Sequence, residues 1–319
     1  ELLEELLAAS YAEENWYCYV IDEKASNQFH KSMRTLVSCF KNLLIAGEAD
    51  TYSTGHHQNA AHLDCMRVLL NRSWEYVMLL QNHDYMIKTH AEMANILRAY
   101  AGANEIEVTP CPKIICLPTL ETNLGKLGLC PKRLNKAARK RCEQANITWA
   151  KGAMQVILSK KAVDFVLNEI DLKPLLAQLD EMEYGVDEVL YASLHISEEI
   201  QMPGGFVSKC RDIDRAQYIS RYSDWYDDCA AGYERHGMCV FGVEDLPTLA
   251  SVKSVMANKM LPEFDYAAIS CINELMFNRS QRITDHPLDL RYYSNINAVR
   301  YHKQRNAGNF SLESFQCVL

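Results

Sequence analysis

Residues 16–100 alternate between two hydrophobic periods, and this alternation restricts the fold more than any other feature of the chain. Trp16-Tyr17-Cys18-Tyr19-Val20-Ile21 is bulky and β-branched, reads as a buried strand, and ends at Asp22. Residues 28–39 follow a helical pattern, Asn42-Leu43-Leu44-Ile45-Ala46 is a second short strand, and residues 57–70 are helical again. Trp74 to Leu80 predicts a third strand running into Gln81-Asn82-His83-Asp84, and residues 89–100 a further helix. The order β-α-β-α-β-α belongs to an α/β fold with a mostly parallel sheet flanked by helices. Such sheets bind ligands at the carboxyl ends of their strands, where Asp22 and Asp84 stand. A nucleotide-type ligand is expected there. The chain nevertheless has no Gly-x-Gly-x-x-Gly and no P-loop, so neither a dinucleotide-binding dehydrogenase nor a P-loop NTPase is supported.

The rest of the chain is less regular. An amphipathic helix precedes the first strand at residues 1–10. Four prolines interrupt residues 101–147, and Met154-Gln155-Val156-Ile157-Leu158 predicts another strand. Residues 160–168 and 171–180 read as helices, Met238 to Gly242 as a strand and tight turn, and Glu244–Lys259 and Phe264–Met276 as helices. Residues 285–319 are polar and predict a peripheral tail after a body spanning 1–284. Lys132, Arg133, Lys136, Arg139, Lys140 and Arg141 form a basic run that is either a solvated helix face or a patch for an acceptor or anionic glycan. Tyr222, Trp225, Tyr226 and Tyr233 lie in a polar stretch, where they either stack on a sugar or pack over the core.

The net charge of −8 argues against a general nucleic-acid or membrane-surface binder. No apolar run reaches the roughly 18 residues a spanning helix needs. The chain opens on Glu1 rather than methionine, so a fragment is expected, with any membrane anchor upstream. Twelve cysteines without a Cys-x-x-Cys, and no His-Glu-x-x-His, favour disulfides in an oxidising lumen over a metal site. Sequons at Asn71, Asn146, Asn278 and Asn309 agree with that compartment.

One stretch carries candidate chemistry. In Tyr184-Gly185-Val186-Asp187-Glu188, Gly185 ends the preceding element, Asp187 is placed to cap a new helix, and Glu188 falls in its first turn. Capping and the helix dipole account for two acids at a helix start without any catalytic role.

The order of several short motifs adds a resemblance. Asn15-Trp16-Tyr17-Cys18, Val20-Ile21-Asp22-Glu23-Lys24, Ser38-Cys39-Phe40, Leu63-Asp64-Cys65-Met66 and Trp74-Glu75-Tyr76-Val77 are followed by Asp84-Tyr85-Met86-Ile87-Lys88-Thr89, Gly185-Val186-Asp187-Glu188, Cys239-Val240-Phe241-Gly242 and Ala257-Asn258-Lys259. Together they resemble the core-2/I-branching β-1,6-N-acetylglucosaminyltransferase family, in its divergent nematode-type branch, over about residues 2–276. The resemblance implies a GT-A-like glycosyltransferase fold whose first strand precedes Glu1, in a type II membrane protein of the Golgi lumen. It implies inverting transfer from a UDP-sugar, with UDP-GlcNAc foremost, to a hydroxyl of a glycoprotein glycan, without a divalent metal and without nucleic acid. Glu188 matches the general base and Asp22 a uridine contact, with Tyr52 placed on the same donor side. Lys259 matches a cation at the diphosphate. A second cation, an Arg in the family, aligns on His236, with Arg235 beside it. Tyr222 and Trp225 are the candidate acceptor contacts.

The resemblance also implies the disulfides Cys18–Cys65 and Cys229–Cys239, and it gives Cys39 and Cys271 partners upstream of Glu1. The sequence departs from the family at Asn82-His83-Asp84-Tyr85-Met86, where a Gly before the Asp and a Pro after it are replaced, and over residues 104–148. The metal-binding Asp-x-Asp of many GT-A enzymes is absent after the third strand; Asp212-Ile213-Asp214 comes too late in the chain for that role. A catalytically silent relative that only binds a glycan or a protein is the competing reading, and donor turnover separates the two.

Overall fold

The computed structural model describes residues 2–211, 217–225, 229–283, 287–308 and 310–318. The chain divides into two compact units: a smaller one of Glu1–Ala12, Leu80–Ala101 and Tyr218–Ile296, and a larger one of Glu13–Leu79, Gly102–Gln217 and Asn297–Leu319. The division expected from sequence, a 1–284 body and a 285–319 tail, does not follow these units.

The larger unit begins with the predicted β-α-β. Strand Tyr17–Asp22 pairs in parallel with Leu43–Ala49, and helix Asn27–Cys39 makes the crossover. Ser26 starts that helix by accepting from the Phe29 N–H at 3.2 Å. Helix Gln58–Leu69 buries Ala61, Leu63, Met66 and Leu69, while Ala60 and Val68 on the same helix are exposed. The third strand is shorter than the Trp74–Leu80 run predicts. Tyr76–Met78 pairs antiparallel to Ile157–Ser159, and Trp74 lies before the strand with its ring N–H on the Leu69 carbonyl at 2.7 Å. The helix expected over 160–168 is an α-helical turn, Lys160–Asp164, followed by a π-helical turn, Phe165–Glu169. Its neighbour Lys173–Leu179 carries Pro174 in its first turn, where no N–H is required. One apolar core runs from Leu63 and Met66 through Ile106, Leu124 and Val156 to Leu190 and Leu194.

The smaller unit is built on a three-stranded sheet. Met256–Ala257 lies between Tyr85–Met86, antiparallel, and Arg221–Tyr222, parallel. Helix Tyr266–Ser280, capped by Asp265, packs Ala268, Ile269, Ile272 and Met276 onto Tyr85, Phe241 and Ala257. The α/β class therefore holds, with short strands that pair both ways.

Two expectations are corrected here. Glu244–Lys259 is not one helix: a 3₁₀ turn, Val243–Asp245, leads into helix Leu246–Ser251, which ends where Val252 turns extended. Met256 and Ala257 are buried as strand, with Val255 buried just before them, so sheet packing overrides their helical spacing. Residues 285–319 are not a peripheral tail. Tyr293, in helix Leu290–Asn295, is fully buried and donates to the Lys253 carbonyl at 2.8 Å. Helix Asn297–Asn306 brings Tyr301 against Phe206 and Phe315, and Cys317 is bonded to Cys210. The polar average of this segment hides a few well-spaced aromatics.

The bonds Cys18–Cys65 and Cys229–Cys239 are present, joined by Cys111–Cys116, Cys130–Cys142 and Cys210–Cys317. Cys39 and Cys271 are free and exposed. Within the basic run, Lys132, Arg133 and Arg139 donate to backbone carbonyls, while Lys136, Lys140 and Arg141 are exposed.

Candidate functional site

In the larger unit, Glu188 lies in a 3₁₀ turn, Val186–Glu188, rather than in the first turn of an α-helix. The α-helix begins at Leu190 without a side-chain cap, so Asp187 is not its N-cap; Asp187 is buried instead. Gly185 opens the turn in the left-handed region (φ 72°), and a Cβ there would sit 3.1 Å from Glu188 Oε2. The Thr54 carbonyl accepts the Gly185 N–H at 3.0 Å, and Asn59 Nδ2 donates to the Val186 carbonyl at 3.1 Å. A side chain on Gly55 would fall 2.3 Å from Asp187 Oδ1, so the 51–57 loop and the 185–188 turn need that glycine to interlock. On the other side, the Gly152 N–H donates to the Glu188 carbonyl at 2.9 Å, and Lys151 Nζ lies 2.9 Å from Glu188 Oε2. Sequence reading missed Lys151; nothing in its neighbourhood distinguishes it from a surface lysine.

The same loop carries a charged cluster at the carboxyl end of the parallel strand pair. Asp22 accepts from the Lys24 N–H at 2.8 Å and from the Thr51 hydroxyl at 3.0 Å. Burial works against its ionised form, but these hydrogen bonds and the Lys24 charge win and hold the carboxyl below its usual range. The Lys24 ammonium bonds Asp50 and lies 4.2 Å from the centre of the Tyr52 ring, and Tyr52 donates to Asp50 at 2.6 Å. Asp22 and Tyr52 thus belong to one exposed, hydrogen-bonded group.

In the smaller unit the cations gather. Lys259 follows strand Met256–Ala257 and donates to the Arg235 carbonyl at 3.3 Å. Partial burial, then the charges of Arg235 and Arg221, push its ammonium pKa down. His83 is lowered by burial first and by the same Arg235 and Lys259 next. Lys259, Arg235 and Arg221 therefore crowd one another, with His83 beside them held towards its neutral form and the Glu263 carboxylate acting the other way on it. Arg221 and His83 have no sequence signal, because only the sheet brings them to Lys259. Arg235 ends strand Glu234–Arg235, and His236 is the exposed residue after it, in the turn to Met238–Cys239.

Asp84 is a fastener rather than an open ligand. It is 1% exposed, accepts from the Gln81 N–H at 2.7 Å and from Asn258 Nδ2 at 2.9 Å, and so fixes the residue before Lys259. Tyr222 stacks on Phe241 at 5.6 Å and is half core; Trp225 is exposed, its ring N–H on Ser223. Tyr226, Asp212, Asp214 and Asn309 lie outside the described residues.

Among the described residues no group of three His, Cys, Asp or Glu side chains could hold a metal ion, and no helix is long and apolar enough to cross a membrane. A polar cleft of about 560 Å³ runs along helix Asn27–Cys39, lined by His30, Arg34 and Glu48, and none of the candidate residues lines it.

The Core-2/I-Branching enzyme family model matches residues 1–250. The chain belongs to the core-2/I-branching enzyme family. Its α/β architecture is the GT-A-like one of that family. The chain is 28% identical over 297 residues, 88% of its own length, to the mouse (Mus musculus) beta-1,3-galactosyl-O-glycosyl-glycoprotein beta-1,6-N-acetylglucosaminyltransferase 3. The human (Homo sapiens) protein of the same name is 28% identical over 295 residues, 86% of the chain. The bovine (Bos taurus) beta-1,3-galactosyl-O-glycosyl-glycoprotein beta-1,6-N-acetylglucosaminyltransferase is 27% identical over 293 residues, also 86% of the chain. The core-2/I-branching chain described here spans just under two thirds of these relatives, at 66%, 65% and 66% of their lengths.

Proposed function

We propose that the chain is an inverting glycosyltransferase that moves a sugar, GlcNAc first among the candidates, from its UDP conjugate to a hydroxyl of a glycoprotein glycan, forming a β-1,6 branch. Its relatives' names supply the donor sugar, the linkage and the galactosylated O-glycan as the acceptor to try first. The observation that carries the reading is the Glu188 turn. Three backbone contacts and one ion pair fix it, a preorganisation that a solvent-exposed helix start does not need.

In this reading the acceptor hydroxyl gives its proton to Glu188 while its oxygen attacks the anomeric carbon from the face opposite the phosphate. The bond from that carbon to the β-phosphate oxygen breaks, and UDP leaves with the electron pair. By the resemblance, Asp22 and Tyr52 match the uridine side, and Lys259, with Arg235 or His236 as the second cation, matches the diphosphate side. Fixed cations that already crowd one another gain from a polyanion, and preorganised charge stabilises a leaving group without reorganisation. The reaction in this reading needs no divalent metal. The proposed setting is the Golgi lumen, with a membrane anchor outside this chain; five disulfides suit an oxidising compartment.

The test is transfer from UDP-GlcNAc to a Galβ1-3GalNAc glycan by the secreted chain. Turnover is expected to persist in EDTA. Glu188→Gln is expected to lower it by about 10²–10⁴-fold while leaving UDP binding intact. Lys259→Ala is expected to abolish donor use. Activity that vanishes in EDTA and returns with manganese refutes the metal-free step. Absence of turnover with every UDP-sugar, alongside retained glycan binding, selects the silent binding module.

A further inference from the structure

The two oxygens of the Glu188 carboxylate are unlike. Oε2 is closed to solvent, with the Lys151 ammonium 2.9 Å away, and a Cβ on Gly185 would lie 3.1 Å from it. The side chains of Lys151 and Glu188 are 28% and 22% exposed, so water screens the pair only in part. The approach is off the axis of a directed hydrogen bond, which makes the contact an ion pair.

Lys151 is itself held firmly. It belongs to the two-residue strand Ala150–Lys151, which pairs with Thr109–Pro110, and its carbonyl accepts from the Thr109 hydroxyl at 2.9 Å. The buried Ser193 hydroxyl, on the helix that follows Glu188, accepts the Ala150 N–H at 3.0 Å. The next residue, Gly152, donates to the Glu188 carbonyl. The 150–152 segment therefore grips Glu188 at its backbone and at one side-chain oxygen.

We infer that Lys151 is the positioning residue of the general base: it draws Oε2 inward and fixes the Glu188 rotamer so that Oε1 alone meets the acceptor hydroxyl. The inference rests on the proposed role of Glu188. A glutamate left free rotates about three bonds and loses time in unproductive orientations; misplacement of a reacting group by about 1 Å can cost on the order of 10²-fold in rate.

The experiment compares Lys151→Met and Lys151→Arg in the whole chain, with UDP-GlcNAc and the Galβ1-3GalNAc glycan as substrates, UDP binding by calorimetry and the thermal midpoint as controls. Lys151→Met is expected to lower kcat by about 10²-fold with donor KM and UDP affinity unchanged. Lys151→Arg, which keeps the cation, is expected to restore most of the loss. If Lys151→Met does not fold, Lys151→Gln replaces it, since it keeps a polar end without the charge. Near-wild-type kcat in the uncharged variant overturns the inference. So do equal defects in the Met and Arg variants at equal folded fraction, which would mark a merely structural lysine. Glu188→Gln is run beside them: if that variant turns over normally, the base assignment falls. If it is dead while Lys151→Met is fully active, only the role of Lys151 falls.

Discussion

Buried in the larger unit beside the Phe206 ring, His195 has no hydrogen-bond partner for either ring nitrogen. Burial pushes its pKa from 6.5 down to about 3. Between those values the unfolded chain takes up a proton that the folded chain refuses, so this group removes stability as pH falls from 6.5 towards 3, at roughly 1.4 kcal/mol per pH unit. His195→Leu is expected to flatten the acid limb of a urea-unfolding series by about one proton without loss of stability at pH 7, because no hydrogen bond is given up. An acid limb of unchanged slope would show that His195 protonates in the folded state. The candidate site was legible at this scale only where chemistry and spacing coincide. Glu188 stands out because Gly185 announces the turn. Lys151, Arg221 and His83 do not, because each becomes interesting only through a partner that the fold, not the local sequence, supplies.

Elements with a strong period and a local start signal were readable. Helix Asn27–Cys39 has Ser26, and helix His90–Tyr100 has the Thr89/Glu92 capping box. The readings that fail are those where tertiary packing competes with propensity: Met256–Ala257 joins a sheet, and the strand expected from Trp74 begins only at Tyr76, the Trp74 indole being bonded to the Leu69 carbonyl. Element context also sorts the sequons. Asn71, in the turn after helix Gln58–Leu69, and Asn146 are exposed. Asn278 lies half-buried inside helix Tyr266–Ser280, next to the buried Arg279. A glycan needs open surface. On secretion from a glycosylating host, the gel shift on deglycosylation should shrink in Asn71→Gln and in Asn146→Gln and be unchanged in Asn278→Gln. A loss of shift in Asn278→Gln would contradict this placement.

Over the whole molecule, the α/β alternation was legible from residues 16–100, but the assignment of segments to two units was not, since both are assembled from pieces far apart in sequence. The chain leaves the larger unit at Gln217, builds most of the smaller one and returns at Asn297, and the Cys210–Cys317 bond brackets that excursion. Closing a loop of that size typically contributes about 4–5 kcal/mol. It also gives the two excursions of the chain different fates when the backbone is cut. A cut anywhere in 218–296 falls inside the bracket, so the pieces stay one covalent molecule until a reductant is added. A cut in 80–101 is spanned by no disulfide, since Cys18–Cys65 closes before it and every other bond lies after it, so denaturation alone separates the pieces. Nicked protein run on denaturing gels with and without reductant should reveal this asymmetry: one excursion is a handle riveted at both ends, the other a thread that parts when snipped.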